Sequence, residues 1–143
     1  MSVRNGYHCA YEVHYHIVFP VKYRKALLSP EIESALVRIG VAIQERYEIV
    51  IDAMGCDLDH IHLLCSAHPK YSPDDLVRMY KSITARQLFA EFPDLKRELW
   101  GGEFWTGGYY VATVGERDNW DTVIRYVKRQ STSGNTLGLR KFA

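Results

Sequence analysis

Residues 11–19, Tyr-Glu-Val-His-Tyr-His-Ile-Val-Phe, alternate with period two, placing Val13, Tyr15, Ile17 and Phe19 on one face. This predicts a strand ended by Pro20. Ser29-Pro30-Glu31 is a helix start, with a serine cap, a proline at the first helical position and an acid in the first turn. Ile32, Leu36, Ile39 and Ile43 follow at helical spacing and predict an amphipathic helix over 30–46. Residues 48–55 and 60–66 read as two further strands. Ser72-Pro73-Asp74-Asp75 repeats the helix start, and Leu76, Tyr80, Ile83 and Gln87 or Leu88 carry that helix to about residue 90.

Residues 93–108 read as a connection punctuated by proline and glycine, and 109–114 as a β-rich run closed by Gly115. A last helix is predicted from Asp118 or Asn119 through Tyr126 and Gln130, followed by a loose tail over 134–143. The order β-α-β-β-α-β, with one appended helix, is that of an α+β fold with a ferredoxin-like antiparallel sheet. The chain has 143 residues, one domain's worth, and 47% hydrophobic content argues against disorder. Residues 1–133 are expected to form that domain.

Net charge is only +1, from 18 Lys+Arg against 17 Asp+Glu, which excludes a strongly basic coating protein. The charge is unevenly spread: residues 1–30 hold four basic groups and one acid, whereas 31–60 hold two and seven. A basic face is therefore compatible with the neutral sum. No run approaches the roughly 18 apolar residues that cross a bilayer, and the first twenty alternate instead of building a signal-peptide core. No membrane partner is expected. Cys9, Cys56 and Cys65 are odd in number and fit no CxxC pattern, so a reduced cytoplasmic protein is expected.

On a strand, residues two apart face the same way, so His60 and His62 project together, with Asp57 and Asp59 just before them. Two imidazoles so placed can hold a divalent cation, or can be hydrogen-bonded histidines on a half-buried strand. His14 and His16 make the same pattern, and spacing does not choose between the pairs. Tyr126 and Gln130, four apart, share one face of the last helix, with Arg125, Lys128 and Arg129 around them. Spacing alone does not raise Tyr126 above the other nine tyrosines.

Five segments in order resemble the single-tyrosine HUH transposases of small bacterial and archaeal insertion sequences, relatives of the REP-associated tyrosine transposases. They are Phe19-Pro20-Val21-Lys22-Tyr23-Arg24-Lys25, Asp59-His60-Ile61-His62-Leu63-Leu64, Gly101-Gly102-Glu103-Phe104-Trp105, the run 108–115, and Tyr126-Val127-Lys128-Arg129-Gln130. Leu58 stands where that family commonly has proline.

The resemblance implies a transposase that cleaves and rejoins single-stranded DNA at hairpin-marked ends through a 5′-phosphotyrosine. It implies Tyr126 as nucleophile, and His60, His62 and Gln130 as ligands of Mg²⁺ or Mn²⁺, with Asp57 or Asp59 as a further contributor. His14 and His16 then become structural residues or, at most, neighbours of the site. Lys22, Arg24 and Lys25 in the first loop, and Arg78, Lys81 and Arg86 on the second helix, are candidate phosphate contacts. Trp100 and Trp105 are candidates for base stacking or core packing. The resemblance further implies a homodimer whose sheets join and whose tyrosine helix serves the partner's histidines; the run 109–114 offers a sheet edge for this. The alternatives are a domesticated relative acting on chromosomal palindromes, a small metallohydrolase, and a non-catalytic single-stranded nucleic-acid-binding module. The aromatic RNA-recognition signature of such sheets is absent.

Overall fold

Two serine-proline steps start the two long helices where the sequence places them. A computed structural model describes residues 3–6, 8–115, 122 and 125. In α1 (Pro30–Arg46) the Ser29 hydroxyl accepts from the Ile32 amide, and Glu31 and Glu33 lie in the positive first turn. In α2 (Pro73–Glu91) Ser72 and Asp75 form a reciprocal capping box, with the Asp75 amide 3.0 Å from the Ser72 hydroxyl.

Among the described residues the strands are β1 (Arg4–Gly6), β2 (Cys9–Tyr11), β3 (His14–Pro20), β4 (Ile49–Cys56), β5 (His60–Ala67) and β6 (Tyr110–Thr113). The last four form an antiparallel sheet in the order β4-β5-β3-β6, with β5 inserted between β3 and β4. This is the ferredoxin-like arrangement expected from the order of elements. The strand expected over 11–19 begins instead at His14. The residues before it fold back as the β1–β2 hairpin, turned by a left-handed His8 (φ 63°). A Cβ at Gly6 would stand 2.6 Å from the His68 ring, so a side chain there would displace that ring.

Alternation divides the sheet into two faces. Ile17 and Phe19 of β3, Ile51 and Met54 of β4, and Ile61 and Leu63 of β5 are buried under Leu36, Ile39 and Ile43 of α1 and Leu76 and Tyr80 of α2. The opposite face carries the register pairs His14 with Ser66, His16 with Leu64, Val18 with His62 and Pro20 with His60. Gly55 of β4 lies opposite His62, so that side of the imidazole has no side chain beside it.

The connection read as irregular over 93–108 contains α3 (Leu95–Glu98) and a 3-10 turn at Trp100–Gly102, where Gly101 and Gly102 are left-handed (φ 81° and 75°). It then re-enters the core. Trp105 packs edge-on against Phe19 and Phe104 at 4.8 and 4.7 Å, and its indole N–H donates to the Thr84 hydroxyl at 2.9 Å. Of the two tryptophans offered for base stacking, Trp105 is a core residue, while Trp100 is 81% exposed. The expected last helix is described only at Thr122 and Arg125, both helical; Tyr126, Gln130 and the tail lie outside the described residues. Among the described residues, no helix is long and apolar enough to cross a membrane.

Thr84 is fully buried on α2, and its hydroxyl also donates to the Tyr80 carbonyl. Thr84→Val keeps the volume and strands the indole N–H of Trp105. The expected loss is about 1–3 kcal/mol in urea unfolding. Unchanged stability would show that the Trp105–Thr84 bond does not secure the connection.

Candidate active site

The β5–β3 register places His60 and His62 on the sheet face away from the helices, ring centroids 5.0 Å apart. His60 stands where the strand begins, directly after the Asp57–Asp59 turn. Its Nδ1 is 2.7 Å from Asp59 Oδ1, and Asp59 Oδ2 is 3.3 Å from Arg24 Nε. The hydrogen bond from His60, aided by the Arg24 charge, holds the Asp59 carboxyl below its ordinary range against the opposing effect of burial.

His62 lies deeper, 4% exposed. Its Nδ1 meets His16 Nε2 at 3.2 Å, and the two rings stack with centroids 5.4 Å apart. Burial pushes the His62 imidazole down to about 4, and the neighbouring His60 and His16 rings push the same way. Burial also lowers His16. His62 is therefore neutral at pH 7, the form in which imidazole ligates metal. Ligation through His62 Nε2 requires Nδ1 of that ring to be the donor and His16 the acceptor. Spacing gave no reason to attach His16 to the second pair; the register does so.

His16, His60 and His62 line one cleft of about 360 Å³ with Val18, Pro20, Arg24 and Tyr110. Tyr110, 58% exposed on β6, stands edge-on to His16 at 6.2 Å, a site neighbour that the β-rich run did not single out. The pair fits half of a metal site: two nitrogen donors on one face, one of them oriented by a carboxylate. Among the described residues, no group of three His, Cys, Asp or Glu side chains is arranged to hold a metal. Asp57 caps its own turn, accepting from the Leu58 amide at 2.8 Å. Gln130, the other expected donor, lies outside the described residues.

The candidate phosphate contacts fall into two places. Lys22 and Lys25 flank Arg24 near the cleft and pair with Glu103 and Glu98 at 3.1 and 3.4 Å. Arg78, Lys81 and Arg86 line a separate groove of about 740 Å³ between α2 and the 102–109 connection. Arg78 pairs with Asp74. The Lys81 ammonium donates to the Thr106 and Gly108 carbonyls at 2.7 and 2.9 Å and lies over the Phe19 ring, so it ties the connection to α2. Burial lowers its pKa, with Asp74 acting in the opposite direction.

Sheet order and site together define a class: a ferredoxin-like protein whose second central strand presents a histidine pair into a cleft rimmed by arginine and tyrosine. The family described as "Transposase IS200 like" matches residues 9–130, and the chain belongs to that family. It is 33% identical over 132 residues to the ISDra2 transposase TnpA of Deinococcus radiodurans, covering 91% of this chain and 92% of that protein. It is 35% identical over 123 residues to the transposase for insertion sequence element IS200 of Salmonella typhimurium, covering 86% of this chain and 80% of the relative. A crystal structure of a Deinococcus radiodurans protein superposes with TM-score 0.71 at 31% identity, covering 90% of this chain and 98% of the other. A REP-associated tyrosine transposase, solved bound to a REP hairpin, shares the fold with TM-score 0.56 at 14% identity, covering 90% and 71%. The chain is thus a transposase, an enzyme of DNA transposition and recombination.

His14 belongs elsewhere on the same face. Its Nδ1 is 3.9 Å from Oδ2 of Asp52, which sits at an irregularity in β4 between Ile51 and Ala53. Burial raises the Asp52 carboxyl to about 6, with Arg4 pulling the other way. A raised carboxyl pKa means that the folded state holds more protons than the unfolded state between about 4 and 6, so stability falls as pH rises through that window. Asp52→Asn removes this dependence. Its stability relative to the parent should grow by about 2 kcal/mol between pH 4.5 and pH 8 in urea unfolding. A constant difference would show that Asp52 does not carry this burial cost.

Proposed function

We propose that the chain cleaves and rejoins single-stranded DNA at hairpin-marked transposon ends by transesterification. Tyr126 attacks the scissile phosphorus, a phosphotyrosine bond forms to the 5′ side, and the P–O3′ bond breaks, leaving a 3′-OH that takes up the proton. A phenol of pKa about 10 is a better leaving group than an alkyl alcohol, so a free 3′-OH can reverse the step without ATP. The observation that carries this reading is the His60–His62 pair in its cleft, with His60 held by Asp59 and His62 by His16. His60, His62 and Gln130 are the residues for a divalent cation, Mg²⁺ or Mn²⁺, which supplies positive charge to the phosphate and the departing oxygen. Neutral imidazoles and an amide leave that charge undiminished. The hairpin bound by the REP-associated relative supports a folded single strand as substrate. Arg86, in the α2 groove, is a candidate contact to its backbone. The β6 edge, unpaired among the described residues, supports a homodimer in which Tyr126 of one chain serves the histidines of the other.

With labelled hairpin DNA and Mn²⁺, a denaturing gel should show a covalent protein–DNA band. Tyr126→Phe should lose that band while hairpin binding survives, and His60→Ala or His62→Ala should abolish cleavage with modest loss of affinity, since phosphate contacts supply most binding. An adduct persisting in Tyr126→Phe would transfer the role to another tyrosine, with Tyr110 in the cleft the first to test. Cleavage without an adduct would favour the metallohydrolase, and binding alone the non-catalytic module.

Sharing of sites is read by mixing. Tyr126→Phe protein and His60→Ala, His62→Ala protein, each inactive, should recover cleavage once subunits exchange. Verified heterodimers that stay inactive would refute the trans arrangement.

A further inference from the structure

The loop after β3 bends in an unusual way. Tyr23 and Arg24 are consecutive non-glycine residues in left-handed conformation, with φ of 61° and 53°. Such residues persist where the surroundings over-determine them, and they gather at functional sites. Here backbone hydrogen bonds hold the loop from both sides. The Val21 amide donates to the Asp59 carbonyl at 2.8 Å, the Lys22 amide to the Phe104 carbonyl at 2.8 Å, and the Leu28 amide to the Leu58 carbonyl at 2.9 Å. The loop is therefore strapped across the Asp57–Asp59 turn that launches β5.

The bend also brings the Arg24 side chain to Asp59. The Asp59 carboxylate uses its two oxygens separately, Oδ1 on His60 Nδ1 and Oδ2 on Arg24 Nε. An acceptor held at both oxygens fixes its own plane, and with it the plane of the ring that donates to it. Arg24 is 63% exposed at its side chain, and an ion pair so exposed contributes little to stability. The ion pair is therefore better explained by the orientation it gives the Asp59 carboxylate than by any stability it adds.

We propose that Arg24 and Asp59 are positioning residues for His60. Asp59 holds that imidazole as its Nδ1–H tautomer, directing the Nε2 lone pair to the metal, and the Tyr23–Arg24 turn holds Asp59. This assigns Asp59 to the support of the ligand set instead of membership in it, and gives Arg24 a partner other than DNA. The inference rests on His60 being a ligand, but its first readout needs neither metal nor DNA.

The test is a long-range ¹H–¹⁵N correlation spectrum of histidine-labelled, metal-free full chain at pH 8, with His60 assigned by difference against His60→Gln. Wild-type His60 should carry its proton on Nδ1. Asp59→Ala should move it to Nε2, Asp59→Asn should keep it on Nδ1 because an acceptor oxygen remains, and Arg24→Ala should give a mixture. Titration with Mn²⁺ should show affinity falling about tenfold to a hundredfold in Asp59→Ala, the range for lost partners of metal-bound histidines. Arg24→Ala should fall less, and Asp59→Asn least. A wild-type Nε2–H tautomer, or a tautomer and Mn²⁺ affinity unmoved in both Asp59→Ala and Arg24→Ala, would overturn the proposal. So would an Arg24→Ala protein that loses only hairpin affinity, which would make Arg24 a phosphate contact. If Asp59→Ala does not fold, Asp59→Asn and Arg24→Ala decide. A wild type with the expected tautomer but no DNA adduct would refute the transesterification and leave this inference standing.

Discussion

The register between β5 and β3 governs what this molecule can do. A strand has two faces, and a slip of one residue exchanges them. Ile61, Leu63, Cys65 and Ala67 fill the space beneath α1 and α2, which pins β5 in place. His60 and His62 face the other way because their neighbours must face inward. The hydrophobic core thus sets which way the imidazoles face. A slip that buried the histidines under the helices would leave them in apolar surroundings, where burying polar groups without partners is costly.

The two histidines are held in different ways by that register. His62 stands opposite Val18 and Gly55, deep in the sheet, and takes its Nδ1 partner from His16 on the adjacent strand. His60 stands at the strand's first position, where the sheet offers less constraint, and takes its partner from the preceding residue. One imidazole is fixed by strand pairing and the other by a loop. A rigid sheet and a strapped turn so converge on one cleft, as preorganised sites require.

Much of this was legible because its causes are local. Serine caps and proline at the first turn act within four residues, so Ser29 and Ser72 announce α1 and α2 at their true starts. Alternation named the inward and outward residues of β5. What escaped notice depends on distant partners. Three-residue strands such as β1 and β2 are too short to show a period, and the hairpin owes its seat to His68, whose Nε2 meets Cys9 Sγ at 3.3 Å. The two His-x-His patterns share one spacing, which allowed both His14 and His16 as neighbours of the site; the pairing of β3 with β5 joins His16 to it and leaves His14 beside Asp52. Arg24 and Asp59 are far apart in sequence, and nothing near either names the other. Trp100 and Trp105 were both open to stacking or core packing, and only the fold divides them, burying Trp105 and exposing Trp100. The family resemblance assigned roles to Tyr126 and Gln130 that the residue pattern could not.

The strand order also sets a length. Among the described residues β6 is an edge, and β5 lies two strands inward from it. In the homodimer proposed above, antiparallel joining of two such edges would relate the chains by an axis perpendicular to the sheet, and both clefts would open on the same side of one eight-stranded surface. Five strand spacings of about 4.8 Å then separate the two histidine strands, roughly 24 Å in all. That span is close to seven base steps of stacked duplex at about 3.4 Å each. A sheet so extended would act as a ruler, holding two DNA strands apart by less than one helical turn while each is cut.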